Sequence, residues 1–247
     1  MCVLISVDDT DMPDTIGTGR LVQNLCFEME ELKMGTCSAV SRHQLFVHDD
    51  IPYTSHNSAM CFEFHSLASS MSEIIEFIQQ YLIRHAAKGS DPGFCLADPG
   101  CFQSDRLIEF GRQAKANVMT KKQAYTLASD LGVHLSEHGG TGQGIIGALA
   151  GAGLRLSGND GRYRGWYCLG KPGEVFRAGD LCGQSFIDVV VTPDGDVIDP
   201  DTRITIGSEK TKTVRLGSRQ VVVVTQDPDQ TGKTAFRTIT KKEARAY

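Results

Sequence analysis

The sequence predicts a mixed α/β fold that continues into a β-rich C-terminal segment. Residues 2–7 are apolar or small at every position, which is typical of a strand buried on both faces. Helical periodicity recurs up to about residue 155 and is missing beyond it, where short strand-like runs alternate with turns. We therefore expect a mixed core over residues 1–180 and a segment made mainly of strands over residues 181–247.

The first strand should end at Asp8, where the apolar run meets a group of carboxylates. Apolar residues at helical spacing predict the first helix over residues 20–32, and Gly35 follows as a stop signal. Residues 37–47 and 59–64 are predicted to be strands. The N-terminal third therefore mixes strands with a helix.

Three further helices are predicted from their start and stop signals. Ser70 and Glu73 form a capping box before an apolar run. Another helix should begin near Ser104. The next should occupy residues 120–131, because Gly132 follows as a suitable C-terminal cap.

The C-terminal segment carries only short strand signals. Strands are predicted over residues 186–191, 204–206 and 220–225, and Pro-Asp-Gly at residues 193–195 predicts a turn. No long helix is indicated in this part of the chain.

Composition limits the classes of protein to consider. The 247 residues carry a formal net charge of −5, which argues against a chain that is basic throughout. Residues 1–50 contain three basic and nine acidic residues, whereas residues 201–247 contain ten basic and five acidic ones. No apolar run approaches the roughly 20 residues that span a bilayer, and no basic region of a signal peptide precedes the first apolar run. Because the eight cysteines include no C-x-x-C pair, we expect reduced thiols and a cytoplasmic protein without membrane contact.

The end of the first predicted strand carries three close carboxylates, Asp8, Asp9 and Asp11. Like charges at this spacing repel one another unless a cation or hydrogen bonds compensate them. A cation site is one interpretation. A solvated turn is the other, since Asp-Asp-Thr-Asp followed by Met-Pro-Asp is also suitable loop chemistry.

A glycine-rich run at residues 138–150 contains Gly142-Gln-Gly-Ile-Ile-Gly147, which fits the pattern G-x-G-x-x-G. Such glycines let the backbone approach phosphates, and the helix that follows supplies oriented N–H donors. A dinucleotide site would also need another parallel strand and a later acidic residue, whereas a turn follows at residues 157–161. A dinucleotide site is therefore disfavoured, and phosphate binding and tight packing both stay open.

Other candidate motifs fail on spacing. Gly-Lys-Thr at residues 232–234 resembles the end of a P-loop but lacks the first glycine of that motif. The pairs His134 with His138 and Cys95 with Cys101 have no partner pair at the spacing of a zinc site. We expect core cysteines and an exposed histidine instead.

Four stretches together resemble archaeal tRNA(Ile) agmatinylcytidine synthetase, which uses ATP to join agmatine to a cytidine of the anticodon. They are Val7-Asp-Asp-Thr-Asp11 with Thr18 seven residues on, Ile51-Pro-Tyr-Thr-Ser-His-Asn57, Asp91-Pro-Gly93, and Gly144-Ile-Ile-Gly-Ala-Leu-Ala150. They occur in the family's order and at similar spacing over about residues 1–155. The set is therefore much more specific than any one piece.

This resemblance implies a kinase-like core with a ferredoxin-like part, ATP and Mg2+ as cofactors, and activation of the substrate by phosphoryl transfer. It implies that Asp8, Asp9 and Asp11 hold the magnesium ion. Thr18, the fourth catalytic residue, would take a phosphate. The residues expected to bind the nucleotide are Asn57, Gly140, Gly142, Gly144 and Gly147. Carboxylates that hold Mg2+ against phosphates supply the charge neutralisation that phosphoryl transfer needs.

Two departures from the family narrow the expected function. Its full-length members continue into an OB-fold and a zinc ribbon that hold the tRNA, and the C-x-x-C pairs of a ribbon are missing here. Gly17-Thr18-Gly19 replaces a Cys-Thr-Thr-like run. We therefore expect a nucleotide and a small-molecule acceptor as partners, with tRNA binding weak or absent for this chain alone. The alternative is a non-catalytic RNA- or protein-binding module with the same fold.

Overall fold

The computed structural model describes residues 1–51, 56–67, 69–165, 169–184, 186–227 and 236–247. They form two compact units, Met1–Ser157 and Gly158–Tyr247, and the predicted mixed α/β class is confirmed. The Gly-Lys-Thr tripeptide at residues 232–234, and residues 52–55 of the stretch that ends at Asn57, lie outside the described residues.

The described part of the first unit contains six strands and five helices. The strands are β1 (Cys2–Asp8), β2 (Gly35–Cys37), β3 (Ser41–Gln44), β4 (Ser58–Ser66), β5 (Gly93–Ala97) and β6 (His134–Glu137). The helices are α1 (Thr18–Glu31), α2 (Met71–His85), α3 (Asp105–Gln113), α4 (Lys121–Leu131) and α5 (Gly144–Leu156). The single strand predicted over residues 37–47 is divided between β2 and β3.

The strands of this unit run in the order β6-β5-β1-β4-β3, and β2 pairs with the C-terminal part of β4. Every one of these pairings is antiparallel. β1 lies in the centre, with Val7 opposite Met60 of β4 and Asp8 opposite Gly93 of β5. Because β6 runs antiparallel to β5, the strand before the glycine run does not belong to a parallel dinucleotide-binding unit.

Helices cover both faces of this sheet. Val3, Ile5 and Val7 of β1 pack in the core that α1 and α2 complete. Leu4, on the other face of the strand, packs in the core formed with α3, α4 and α5. Since side chains alternate along a strand, Asp8 lies on the same face as Leu4 and meets α5.

The predicted helix caps are confirmed. The Ser70 amide donates to Glu73 Oε2 (2.7 Å), and the Glu73 amide donates to Ser70 Oγ (3.3 Å), so that the capping box is complete. Thr120 caps α4 in the same way, and Gly132 ends it in the left-handed conformation (φ 66°). α1 begins at Thr18, earlier than periodicity predicted, because Thr18 and Gly19 are themselves buried.

The second unit consists mainly of short strands. They are β7 (Arg162–Tyr163), β8 (Val175–Arg177), β9 (Val189–Val191), β10 (Arg203–Thr205), β11 (Thr213–Leu216), β12 (Arg219–Gln226) and β13 (Phe236–Thr238), with one short helix, α6 (Ala178–Cys182). β12 pairs with β11 and β13 antiparallel and with β9 parallel. β10 pairs with β13 and β8.

This unit begins earlier than the division expected at residue 180, because β7 and β8 pair with later strands. Two and three residues are too few to leave a strand pattern in the sequence. The kinase-like and ferredoxin-like assignments within residues 1–180 stay predictions. Among the described residues, no helix combines the length and apolar character needed to cross a membrane.

Candidate functional site

Several connecting segments of the first unit meet at one end of its sheet. Asp8, the last residue of β1, is opposite Gly93, the first residue of β5. Gly93 is in turn opposite Glu137, the last residue of β6. Asn57 immediately precedes β4 at the same end. The antiparallel topology thus brings the acidic loop, the Asp91-Pro-Gly93 turn and the glycine run together.

Asp8 is a buried carboxyl group at the end of β1. Only 8% of the residue is exposed, and Oδ1 accepts the backbone N–H of Asp9 (2.9 Å). The other oxygen, Oδ2, lies against Gly147 of α5, where a Cβ atom would collide with it. Burial, followed by the charge of Asp9, raises the pKa of Asp8 to about 8. The carboxyl group is therefore held where its charge is poorly solvated.

Asp9 follows in the left-handed conformation (φ 54°), which is uncommon for a residue with a side chain. Burial raises the pKa of Asp9 to about 6, with smaller contributions from the charges of Asp91 and Asp11. In the described parts of the chain, no three His, Cys, Asp or Glu side chains are grouped as a preformed metal site. The three carboxylates predicted as ligands therefore do not converge on one point.

Asp11 is engaged with Thr18, the first residue of α1. Thr18 Oγ1 donates to Asp11 Oδ1 (2.6 Å), and the Thr18 amide donates to the same oxygen (3.2 Å). Thr18 Oγ1 also accepts from the amide and the hydroxyl of Thr10, both at 3.1 Å. Thr10 and Thr18 are 1% and 5% exposed. This network fixes the acidic loop to the start of α1 and places a carboxylate beside a threonine hydroxyl.

The glycine run carries out two different structural tasks. Gly144 and Gly147 lie in the first turns of α5, where they let the helix approach Asp91 and Asp8 closely. Gly140 and Gly142 lie in the preceding loop with positive φ angles of 53° and 75°. A Cβ atom on Gly140 would collide with the Asp91 carboxylate. Close packing thus accounts for these glycines, and phosphate binding by them stays a prediction.

Asn57 stabilises a chain connection beside the site. Its Nδ2 donates to the carbonyl of Phe46 (2.6 Å), and its own carbonyl accepts from the Leu45 amide and from Gln44 Nε2. These contacts hold the end of β3 against the start of β4. The predicted contact of Asn57 with a nucleotide remains a prediction.

Sequence reasoning missed several residues of this site. Asp91 belongs to a matching stretch but has no role assigned from the sequence, and it accepts hydrogen bonds from Thr141 and Gly142. Lys121 Nζ donates to Glu137 Oε2 and to the carbonyl of Thr141, both at 2.8 Å. Because these partners lie far apart in the chain, no local pattern announces them.

The histidine pair is not part of a recognisable metal site. His134 and His138 both contact Ser136 Oγ through Nε2, at 2.9 and 2.8 Å. Burial lowers the pKa of both imidazoles. Cys95 is buried and Cys101 exposed, and both are free thiols. The expectation against a zinc site agrees with these positions.

Neither a protein-family model nor a curated protein matches the chain. Solved structures do, and they define a TiaS-like fold for its matched part. They include apo TiaS, an agmatidine synthetase of an isoleucine tRNA, with 24% identity and a TM-score of 0.53. They also include TiaS in complex with that tRNA and ATP (25%, 0.54) and a tRNA fluorescent labeling enzyme (26%, 0.54).

Each match covers 62% of this chain and only 35% or 36% of the solved chain. This chain therefore spans about a third of the length of the structures it matches. The predicted resemblance to the agmatinylcytidine synthetase family is confirmed at the level of the fold.

Proposed function

We propose that this protein binds ATP with Mg2+ at the C-terminal end of β1 and transfers a phosphoryl group. The observation that carries the proposal is the gathering of Asp8, Asp9 and the Asp11–Thr18 pair at one sheet end, next to a loop of backbone N–H donors. Two of the matched TiaS structures are complexes, one with ATP and the other with AMPCPP and agmatine. Their similarity to this chain supports a nucleotide as its ligand.

Mg2+ fits the carboxylates at this end of the sheet. The ion is usually bound through one or two carboxylates together with phosphate oxygens, so a complete protein cage is not needed. Asp8 and Asp9 would hold it, because burial and mutual repulsion raise the pKa of both and a cation would relieve that cost. Asp11, predicted as a third ligand, would contribute while it holds Thr18. When bound, Mg2+ supplies neutralisation of the phosphate charge.

Two acceptors are compatible with this site. If Thr18 is the acceptor, its Oγ1 bonds to the γ-phosphorus, the bond to the ADP oxygen breaks, and Asp11 receives the hydroxyl proton across the 2.6 Å hydrogen bond. A small-molecule acceptor is the other route. Thr18 is buried and already accepts two hydrogen bonds from Thr10, which makes transfer to Thr18 the more demanding route.

The test of the nucleotide site is calorimetric titration with MgATP. Asp8→Asn and Asp9→Asn should each weaken binding at least tenfold, about 1.4 kcal/mol, because each removes a carboxylate that compensates the cation. Asp98→Asn is the matched control, since Asp98 lies at the opposite end of β5. Unchanged affinity in both site variants would contradict the metal assignment.

The test of Thr18 is mass spectrometry after incubation with MgATP. We expect a phosphate on the peptide that contains Thr18 and none in Thr18→Ala. Thr15→Ala is a suitable control, because Thr15 bonds only within its own exposed turn. If no phosphate appears in the wild-type peptide while MgATP still binds, a small-molecule acceptor is the remaining route.

The non-catalytic RNA-binding alternative makes a different prediction. Affinity for RNA comes mainly from phosphates neutralised by Lys and Arg, and this chain carries a net charge of −5. We therefore expect only salt-sensitive binding of bulk tRNA, with a Kd of roughly 10–100 µM. A saturable submicromolar curve by filter binding, together with no response to MgATP, would favour the alternative.

A further inference from the structure

The loop before α5 holds a carboxylate of the protein itself. The backbone N–H groups of Thr141 and Gly142 both donate to Asp91 Oδ1, the latter at 3.2 Å. The Thr141 hydroxyl donates to the other oxygen, Asp91 Oδ2. Three donors from two adjacent residues thus surround one anionic group, although Asp91 is some fifty positions away in the chain.

The backbone of this loop is shaped around that anion. Gly140 and Gly142 adopt positive φ angles, and a Cβ atom on Gly140 would overlap Asp91 Oδ1. Consecutive N–H groups that point into one concavity form a general anion site, and phosphate groups are common occupants of such sites. The donors that bind Asp91 are therefore of the kind that would bind a phosphate.

The surroundings make this contact exchangeable. No described Lys or Arg side chain forms an ion pair with Asp91, and the nearby Lys121 is bonded to Glu137 and to the Thr141 carbonyl. Asp9 lies close enough that the charges of the two carboxylates repel each other. Asp91 is thus held by loop dipoles alone and is opposed by its neighbour.

We propose that Asp91 occupies the phosphate-binding donors of Thr141 and Gly142 in the nucleotide-free protein, and that the polyphosphate chain of a nucleoside triphosphate displaces it. This inference rests on the proposed nucleotide function. It makes Asp91 a positioning residue whose carboxylate competes with the ligand. The opposite role, a clip that keeps the loop in its binding shape, predicts the opposite effect of removing the charge.

The experiment is a titration with inorganic tripolyphosphate in the absence of Mg2+. In Asp91→Asn the loop donors lose a charged competitor and Asp9 loses a repulsive neighbour, so we expect at least fivefold tighter binding than in the wild type. Asp98→Asn should bind as the wild type does, within twofold. Adding Thr141→Val to Asp91→Asn should weaken binding again, because it deletes the hydroxyl donor.

The direction of the change decides the outcome. Equal or weaker binding of tripolyphosphate by a folded Asp91→Asn variant would overturn the proposal and make Asp91 a clip. If Asp91→Asn does not fold, Asp91→Ser replaces it with the same expectation. MgATP titrations of the same proteins separate the two claims. If the wild type binds MgATP and the variant does not gain affinity for tripolyphosphate, this inference alone fails. If none of the proteins binds MgATP, the proposed function fails as well.

Discussion

The two ends of β5 carry the same tripeptide, Asp-Pro-Gly, at residues 91–93 and 98–100. At the second, Asp98 Oδ1 accepts the N–H of Gly100 (2.9 Å), a contact internal to the turn. At the first, Asp91 bonds to Thr141 and Gly142 and lies beside Asp9. Identical local sequences thus form an ordinary turn at one end and part of a carboxylate cluster at the other. The tertiary neighbours, rather than the tripeptide, determine what each aspartate does.

The third residues of the two tripeptides differ as strongly as the first. A Cβ atom on Gly93 would collide with the backbone of Gly144 and Ile145, which cannot move without shifting α5. A Cβ atom on Gly100 would meet only the Asp98 side chain, at 3.3 Å. The helix is therefore seated directly on the start of β5, whereas nothing is seated on its far end.

The largest expected effect tests this difference with one substitution made twice. Gly93→Ala should lower the free energy of unfolding by about 3 kcal/mol or more, because overpacking against backbone has no cheap relaxation. Gly100→Ala should cost less than about 1 kcal/mol. Urea denaturation of both variants measures the comparison. Equal losses would show that the two ends of β5 are packed alike.

A smaller effect is expected from the charges at the near end. The pKa values of Asp8 (about 8) and Asp9 (about 6) lie above the usual value near 4, so the folded protein retains protons that the unfolded chain releases. Their contribution to stability is complete below pH 4 and is lost as the pH rises through 6 and 8. Asp8→Asn should therefore stabilise the metal-free protein at pH 8 by about 1–3 kcal/mol and by little at pH 4.

The measurement is the urea midpoint of the wild type, Asp8→Asn and Asp98→Asn at pH 5 and pH 8 without divalent cations. We expect the wild type to lose more stability between these pH values than Asp8→Asn does. Asp98→Asn should follow the wild type. A wild-type protein that gains stability toward pH 8 relative to Asp8→Asn would contradict a buried, poorly compensated carboxyl group.

Much of the first unit could be predicted from local chemistry. The apolar run of β1, the Ser70–Glu73 capping box and the Gly132 cap each depend on residues within one element, and all three were confirmed. β7 and β8 could not be predicted, because strands of two or three residues are defined by their partners rather than by periodicity. The boundary between the two units was misplaced for the same reason.

The site divides in the same way. Asp8, Asp9 and Asp11 attracted notice because they are neighbours in sequence, and Thr18 because it starts a helix. The contact of Asp11 with Thr18, the burial of Asp8 behind Gly147, and the capture of Asp91 by Thr141 all depend on how distant segments meet. A sequence can indicate which groups carry charge, while their division into partners requires the packed sheet.

The central place of β1 has a consequence for the newly synthesised chain. β1 is made long before its neighbours, since its partner β5 ends only at Ala97. At 5–20 residues per second, its apolar residues remain without that partner for roughly 5–20 s. An unpaired apolar strand is prone to aggregate, and charged residues beside such a strand oppose association. The mutual repulsion of Asp8, Asp9 and Asp11, which costs stability in the folded protein, therefore protects the segment while it emerges from the ribosome.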